Sequence, residues 1–151
     1  YYAGRYLDAA GQYEKALGIA ASDPQVVGSL ADALWLIPGR RLEAVGLYEK
    51  AAHLAAESLK VNPMEAQVIA QLGYYHGRTG DTQGSARALA RAASLREDDM
   101  YVQYFIALAA ADRGDEATAR DAIGQAERNG YPRKLLEADP VLKRFVTGGR
   151  G

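Results

Sequence analysis

Small and apolar residues recur along this chain with the 3.6-residue period of an α-helix. No segment alternates apolar and polar residues at every second position, so the pattern predicts no β-sheet. Short runs rich in Gly, Pro, Asp and Asn separate the periodic stretches, as is typical of helix ends. The pattern predicts helices over residues 6–21, 24–37, 41–60, 64–78, 82–96, 99–112, 116–129, 133–138 and 140–146.

The sequence also repeats itself at a nearly constant spacing. Tyr-Glu-Lys-Ala at 13–16 recurs at 48–51, a spacing of 35 residues, and Gly-Asp at 80–81 recurs at 114–115, a spacing of 34 residues. At the second spacing apolar residues match apolar residues: Val68 with Val102, Leu72 with Ile106, Leu89 with Ile123 and Ala92 with Ala126. Such a period indicates a fold built from stacked copies of one unit.

Residues at the predicted helix ends suit a unit of helix, turn and helix. Asx-Pro pairs at 23–24, 62–63 and 139–140 each place an N-cap residue before a proline at the first helical position. Gly39, Gly80 and Gly114 each follow a predicted first helix, where a left-handed C-cap is needed. Asp81 and Asp115 then stand at the N-caps of the second helices.

These residues resemble the tetratricopeptide repeat, with Leu72-Gly73 early in a first helix, Gly80-Asp81 at the turn, and Leu89 and Ala92 in the second helix. Ile106-Ala107, Gly114-Asp115, Ile123 and Ala126 repeat that arrangement. The resemblance implies an all-α fold, a right-handed α–α superhelix of about 3.5 repeats plus C-terminal capping helices. It divides a single domain, 1–151, into the second half of a truncated repeat (1–24), a repeat with an extended second helix (25–63), two further repeats (64–97 and 98–131) and a C-terminal cap (132–147).

In that family the first helices line a concave groove that holds a partner protein. Carrying the register over implies a partner-binding groove formed by Asp32, Trp35, Gln67, Gln71, Tyr74, Arg78, Tyr101, Tyr104, Phe105 and Leu108. The chaperone-binding members grip a terminal carboxylate with lysines and asparagines, but the matching positions here hold Gly28, Ala70 and Tyr104. The resemblance therefore implies a scaffold for a partner peptide or helix rich in apolar or aromatic residues.

Two alternative functions stay open at this point. Modules ending in a segment like 130–140 resemble those appended to bacterial kinases, cyclases or transcription regulators, so the chain could regulate an enzyme elsewhere in a longer protein. Alternatively, the helix at 6–21 lacks a partner helix before it, and its bare face could mediate homo-oligomerisation. A strict monomer in light scattering at high protein concentration would exclude that second alternative.

Composition narrows the range of partners. The 151 residues carry a net charge of −1, which gives no electrostatic reason to expect nucleic acid. No stretch approaches the roughly 20 apolar residues of a membrane span, so we expect no membrane insertion. The chain begins Tyr1-Tyr2 without an initiating Met, and we expect it to be part of a longer protein whose compartment the sequence does not reveal.

The sequence offers little that could support catalysis. Glu49 and Glu57 flank His53 at helical spacing, but a metal would find no further ligand on that face. Asp98-Asp99 precedes a predicted helix, where carboxylates favour the positive end of the helix dipole. The chain contains no cysteine and no phosphate-binding glycine loop. We therefore expect no enzyme activity, no cofactor and no metal.

Overall fold

The computed structural model describes residues 2–19 and 22–147, and these ranges contain nine α-helices and no β-strand. None of the described helices is both long and apolar enough to cross a bilayer. The helices are α1 (Tyr2–Ile19), α2 (Pro24–Trp35), α3 (Arg41–Val61), α4 (Ala66–Arg78), α5 (Thr82–Leu95), α6 (Met100–Asp112), α7 (Glu116–Arg128), α8 (Arg133–Ala138) and α9 (Lys143–Thr147). The prediction of an all-helical chain is confirmed.

Most predicted helix ends agree with the structure within one residue, but four differ. The helix predicted at 6–21 begins earlier, at Tyr2, and its last two predicted residues lie outside the described part of the chain. The helix predicted at 24–37 ends at Trp35, because the amide of Ile37 bonds to the carbonyl of Leu34 and closes a tighter turn. The helices predicted at 64–78 and 140–146 begin two and three residues late, at Ala66 and Lys143.

Aspartate caps and left-handed glycines mark the helix ends as the sequence predicted. The carboxylates of Asp23, Asp81 and Asp115 accept hydrogen bonds from the amides of Gln25 (2.9 Å), Gly84 (2.8 Å) and Thr118 (3.2 Å). Gly80 has φ of 92°, a region that other L-residues rarely adopt, and this lets α4 stop and the chain reverse into α5. The glycines at 39 and 114 have φ values of 83° and 79° for the same reason.

The predicted N-cap at Asn62 is wrong. The amide of Asn62 still bonds to the carbonyl of Ser58 at 3.2 Å, so this residue ends α3 instead of starting α4. Glu65 occupies the N-cap of α4 and makes no side-chain cap bond. Its carboxylate instead accepts a hydrogen bond from the Asn62 side chain at 3.3 Å.

The helices pack mainly against their neighbours in the sequence. The closest pairs are α2 with α3, α4 with α5, and α6 with α7, and α4 also packs along α6. Small residues allow this approach: a Cβ on Gly73 of α4 would lie only 2.8 Å from Cγ of Leu89 on α5. At the N-terminal end, α1 buries Ala10 but leaves Leu7 and Tyr13 exposed. Helix α4 thus lies beside α6, and a hydrogen bond from Tyr74 to Asp32 joins α4 to α2.

Candidate binding cavity

The ten residues predicted for the groove all line two adjoining cavities. The larger cavity has a volume of about 440 Å³ and the smaller about 160 Å³, and they share Asp32, Tyr74, Tyr104 and Leu108. Trp35 and Arg78 line only the smaller cavity. The other predicted residues that line the larger cavity are Gln67, Gln71, Tyr101 and Phe105. The larger volume lies within the range of ordinary ligand sites, roughly 300–1,000 Å³. Whether these residues hold a partner stays a prediction.

A carboxylate on α2 organises the boundary between the two cavities. Oδ1 of Asp32 accepts hydrogen bonds from the hydroxyl groups of Tyr48 at 2.5 Å and Tyr74 at 2.7 Å. Both tyrosines are almost completely buried. Burial raises the pKa of Asp32 above its ordinary value, and the two tyrosine hydrogen bonds offset part of that rise. This carboxylate therefore links α2 to both α3 and α4.

Oδ2 of Asp32 is the more informative oxygen for binding. It accepts no hydrogen bond from any described residue. No enclosed side-chain oxygen or nitrogen of the described residues lacks a partner, so this atom is not fully enclosed. Asp32 thus presents one free carboxylate oxygen to the cavities that it lines.

Arg78 is a buried cation beside this carboxylate, but its hydrogen bonds go elsewhere. Its guanidinium forms an ion pair with Asp112 at 3.2 Å and donates from Nε to the hydroxyl oxygen of Tyr74 at 3.3 Å. The group also lies 4.2 Å from the ring centroid of Trp35, within cation–π range. A second guanidinium, that of Arg41, lies 4.3 Å from the same ring. Trp35 is therefore occupied by the chain's own cations.

Aromatic rings form a continuous wall across α4, α6 and the segment that follows α7. Tyr74 contacts Phe105 with ring centroids 5.9 Å apart, and Phe105 contacts Tyr104 edge-on at 5.3 Å. Tyr104 stacks on Tyr131 at 4.9 Å with the rings nearly parallel, and Tyr131 meets Tyr101 edge-on at 6.0 Å. Such ring pairs stabilise the wall beyond their buried area.

The segment after α7 closes one side of the cavities, and the sequence register did not include it. The hydroxyl of Tyr104 donates to Oδ2 of Asp139 at 2.8 Å. Oδ1 of Asp139 accepts from the amides of Val141 (2.9 Å) and Leu142 (3.1 Å), so the same side chain also orders the turn before α9. Asp139 was predicted only as a helix cap. Tyr131 and Asp139 are therefore cavity residues that the repeat register missed, because the register selects residues of the first helices and these two lie after α7.

Polar side chains with unused hydrogen-bonding capacity also line the larger cavity. Gln67 donates to Asp99 at 2.9 Å, whereas the side chains of Gln25, Ser29 and Gln71 make no hydrogen bond with any described residue. These amide and hydroxyl groups can both donate to and accept from a ligand. The larger cavity thus combines aromatic side chains with polar uncharged ones.

The other candidate ligand-binding and metal-binding residues do not cluster at one place. A third cavity, of about 550 Å³, borders α4, α5 and α6. Its exposed lining is mainly apolar and contains none of the predicted groove residues. His53 and Glu57 lie 4.0 Å apart on the exposed face of α3. Within the described residues, no three side chains of His, Asp or Glu are placed to hold a metal together. The two aromatic cavities are therefore the best candidate site.

The comparisons with known proteins do not identify a family. No protein-family model matches this sequence, and no curated protein matches it significantly. The resemblance to the tetratricopeptide repeat therefore rests on the repeated residues themselves, and the site rests on its own geometry.

Proposed function

We propose that this chain is a non-catalytic interaction module whose helix pairs stack as a tetratricopeptide-like superhelix. Its function would be to hold a segment of a partner protein, a peptide or a short helix, in the larger cavity. One observation carries this proposal. Residues chosen by repeat register alone, from three helices far apart in sequence, line two adjoining cavities of ligand size.

The lining has the character of a recognition surface. Tyrosines offer a large apolar area with a polar tip and lose little conformational entropy on binding. Burial and the nearby Asp139 carboxylate raise the pKa of Tyr104, and burial and Asp32 likewise raise that of Tyr74. These phenols therefore stay protonated and donate their hydrogen bonds to Asp139 and Asp32. The one serine that lines the larger cavity, Ser29, has no hydrogen-bonded base, which favours binding over nucleophilic catalysis.

A test must avoid residues that hold the fold together. Tyr74 is buried and bonded to Asp32, so its substitution would report on folding as well as on binding. Gln71 and Tyr101 are better choices, because neither side chain makes a hydrogen bond with a described residue. Gln83, which is exposed on α5 and lines neither cavity, provides a matched control.

The experiment selects binding peptides from a random phage library and measures their affinities for the variants. Gln71→Ala and Tyr101→Ala should each weaken binding by about 1–2 kcal/mol, roughly five- to thirty-fold, because each removes side-chain contact with the bound peptide. Gln83→Ala should leave the affinity unchanged. Equal affinities for all three variants would show that the peptides bind elsewhere.

A further inference from the structure

The charge and the lining side chains of the larger cavity favour one class of ligand. Asp32 is the single charged residue among the described residues that line it, and these include no lysine, arginine or histidine. Arg78 and Asp139 line the smaller cavity instead. The larger cavity therefore combines one carboxylate with polar uncharged and aromatic side chains.

We propose that this cavity binds an organic cation, an ammonium or guanidinium group on an aliphatic stem, with Asp32 as its counter-ion. The cation would be either the side chain of a lysine or arginine in a partner segment or a free small amine. The inference rests on the proposed function, because it takes this cavity as the binding site. It adds the chemical class of the ligand.

The aromatic lining supports a cation independently of the carboxylate. A positive group within about 6 Å of a ring centroid is attracted by the negative face of the ring. Six aromatic side chains line this cavity: Tyr74, Tyr75, Tyr101, Tyr104, Phe105 and Tyr131. Their apolar faces would also cover the aliphatic stem, as amphipathic side chains require when they enter a protein.

Hydrogen-bond acceptors are present for the N–H groups of the cation. Oδ2 of Asp32 accepts no hydrogen bond from the part of the chain that the structure describes. The side-chain amide oxygens of Gln25 and Gln71 and the hydroxyl of Ser29 also have no partner among the described residues. An ammonium group has three donors and no acceptor. The free carboxylate oxygen and any two of these acceptors would satisfy it.

Arg78 partly compensates the charge of Asp32 but does not occupy the place of a ligand. Its guanidinium is engaged by Asp112, by the hydroxyl of Tyr74 and by the ring of Trp35. It donates no hydrogen bond to Asp32 and does not line the larger cavity. A neutral or anionic ligand, by contrast, would have to displace water from Asp32 without compensating its charge.

The test titrates the full chain with n-butylammonium chloride and with its neutral analogue 1-butanol, and follows amide chemical shifts. The cation should bind at least about tenfold more tightly than the alcohol, since only the cation gains the interaction with Asp32. Gln71→Lys places a fixed positive charge beside the cavity and should weaken cation binding about tenfold more than it weakens alcohol binding. The same change outside the cavity, Gln83→Lys, should have little effect.

Asp32→Asn provides a second variant and should abolish the preference for the cation. Asp32→Asn risks misfolding, because Asp32 accepts hydrogen bonds from Tyr48 and Tyr74. If it does not fold, Gln71→Lys still tests the proposal. Equal binding of the cation and the alcohol, or equal effects of Gln71→Lys and Gln83→Lys, would overturn the proposal.

A peptide comparison separates the two sources of the cation and the two proposals. A selected peptide that loses at least about tenfold in affinity when its lysine becomes norleucine supports a side-chain cation. Binding of n-butylammonium without any peptide binding supports a free amine and overturns the proposed scaffold function. A peptide that binds the cavity equally well with lysine or norleucine overturns the cation proposal and leaves the scaffold function standing.

Discussion

Gly28 of α2 lies directly against the Tyr75 ring of α4, and its substitution tests the packing beside the cavity. A Cβ at this position would lie 2.3 Å from the hydroxyl oxygen of Tyr75 and 2.7 Å from Cζ of the same ring. Tyr75 is 3% exposed, and its hydroxyl donates to the carbonyl of Pro24 at 3.3 Å. The ring is rigid and enclosed, so it cannot move aside without disturbing its neighbours.

Two opposing effects set the magnitude of Gly28→Ala. Alanine stabilises a helix interior by about 0.8–1 kcal/mol relative to glycine, whereas overpacking a core costs about 1–3 kcal/mol. The free energy of unfolding should therefore fall by about 0–2 kcal/mol. Gly46 in α3 is the control, because it is exposed and a Cβ there meets nothing within 4 Å. Gly46→Ala should raise the free energy of unfolding by about 0.8–1 kcal/mol.

Urea unfolding followed by far-UV circular dichroism measures both variants. The two should differ by about 1–3 kcal/mol, or about 2–4 °C in Tm for each kcal/mol. In a Tyr75→Leu background, which removes the ring, Gly28→Ala should stabilise the protein as Gly46→Ala does. Equal stabilisation by Gly28→Ala and Gly46→Ala in the parent chain would show that Tyr75 does not pack against Gly28.

Two further predictions concern the carboxylates that border the cavities. Burial raises the folded-state pKa of Asp32 above its unfolded value of about 3.9. Between those two pKa values the folded state binds more protons than the unfolded state. The free energy of unfolding therefore falls as pH rises through that window. Urea titrations at several pH values should show the stability of Asp32→Asn rising relative to the parent chain across the window, and a constant difference would refute this. Tyr104→Phe removes the bond to Asp139 and should cost about 1.5–3 kcal/mol and speed hydrogen exchange in residues 131–142, whereas Tyr13→Phe, at an exposed position, should do neither.

The positions of the turns could be predicted because the residues that form them act locally. Gly80 and Gly114 supply a backbone conformation that few other residues tolerate, and Asp81 and Asp115 cap the helices that follow. Asn62 carried the same local signal as Asp23, and the prediction there failed. At that position α3 continues to Val61, so the asparagine belongs to the helix before it.

The repeat register selected ten residues on the expectation that equivalent positions of successive first helices face the same side, and all ten line the two cavities. It could not predict that Tyr131 and Asp139 complete the wall. Both residues lie after α7, whereas the register selects residues of the first helices only, and their contacts reach back 27 and 35 residues to Tyr104. Nor did the register separate Tyr74, which is buried and bonded to Asp32, from Tyr101, which is 42% exposed.

Chemical-shift mapping with a selected peptide shows where on the chain a partner segment binds. We expect the largest amide shifts on α2, α4 and α6 and on residues 131–141, which together line the two cavities. Shifts confined to α5 and the neighbouring apolar cavity, or to α1, would contradict it.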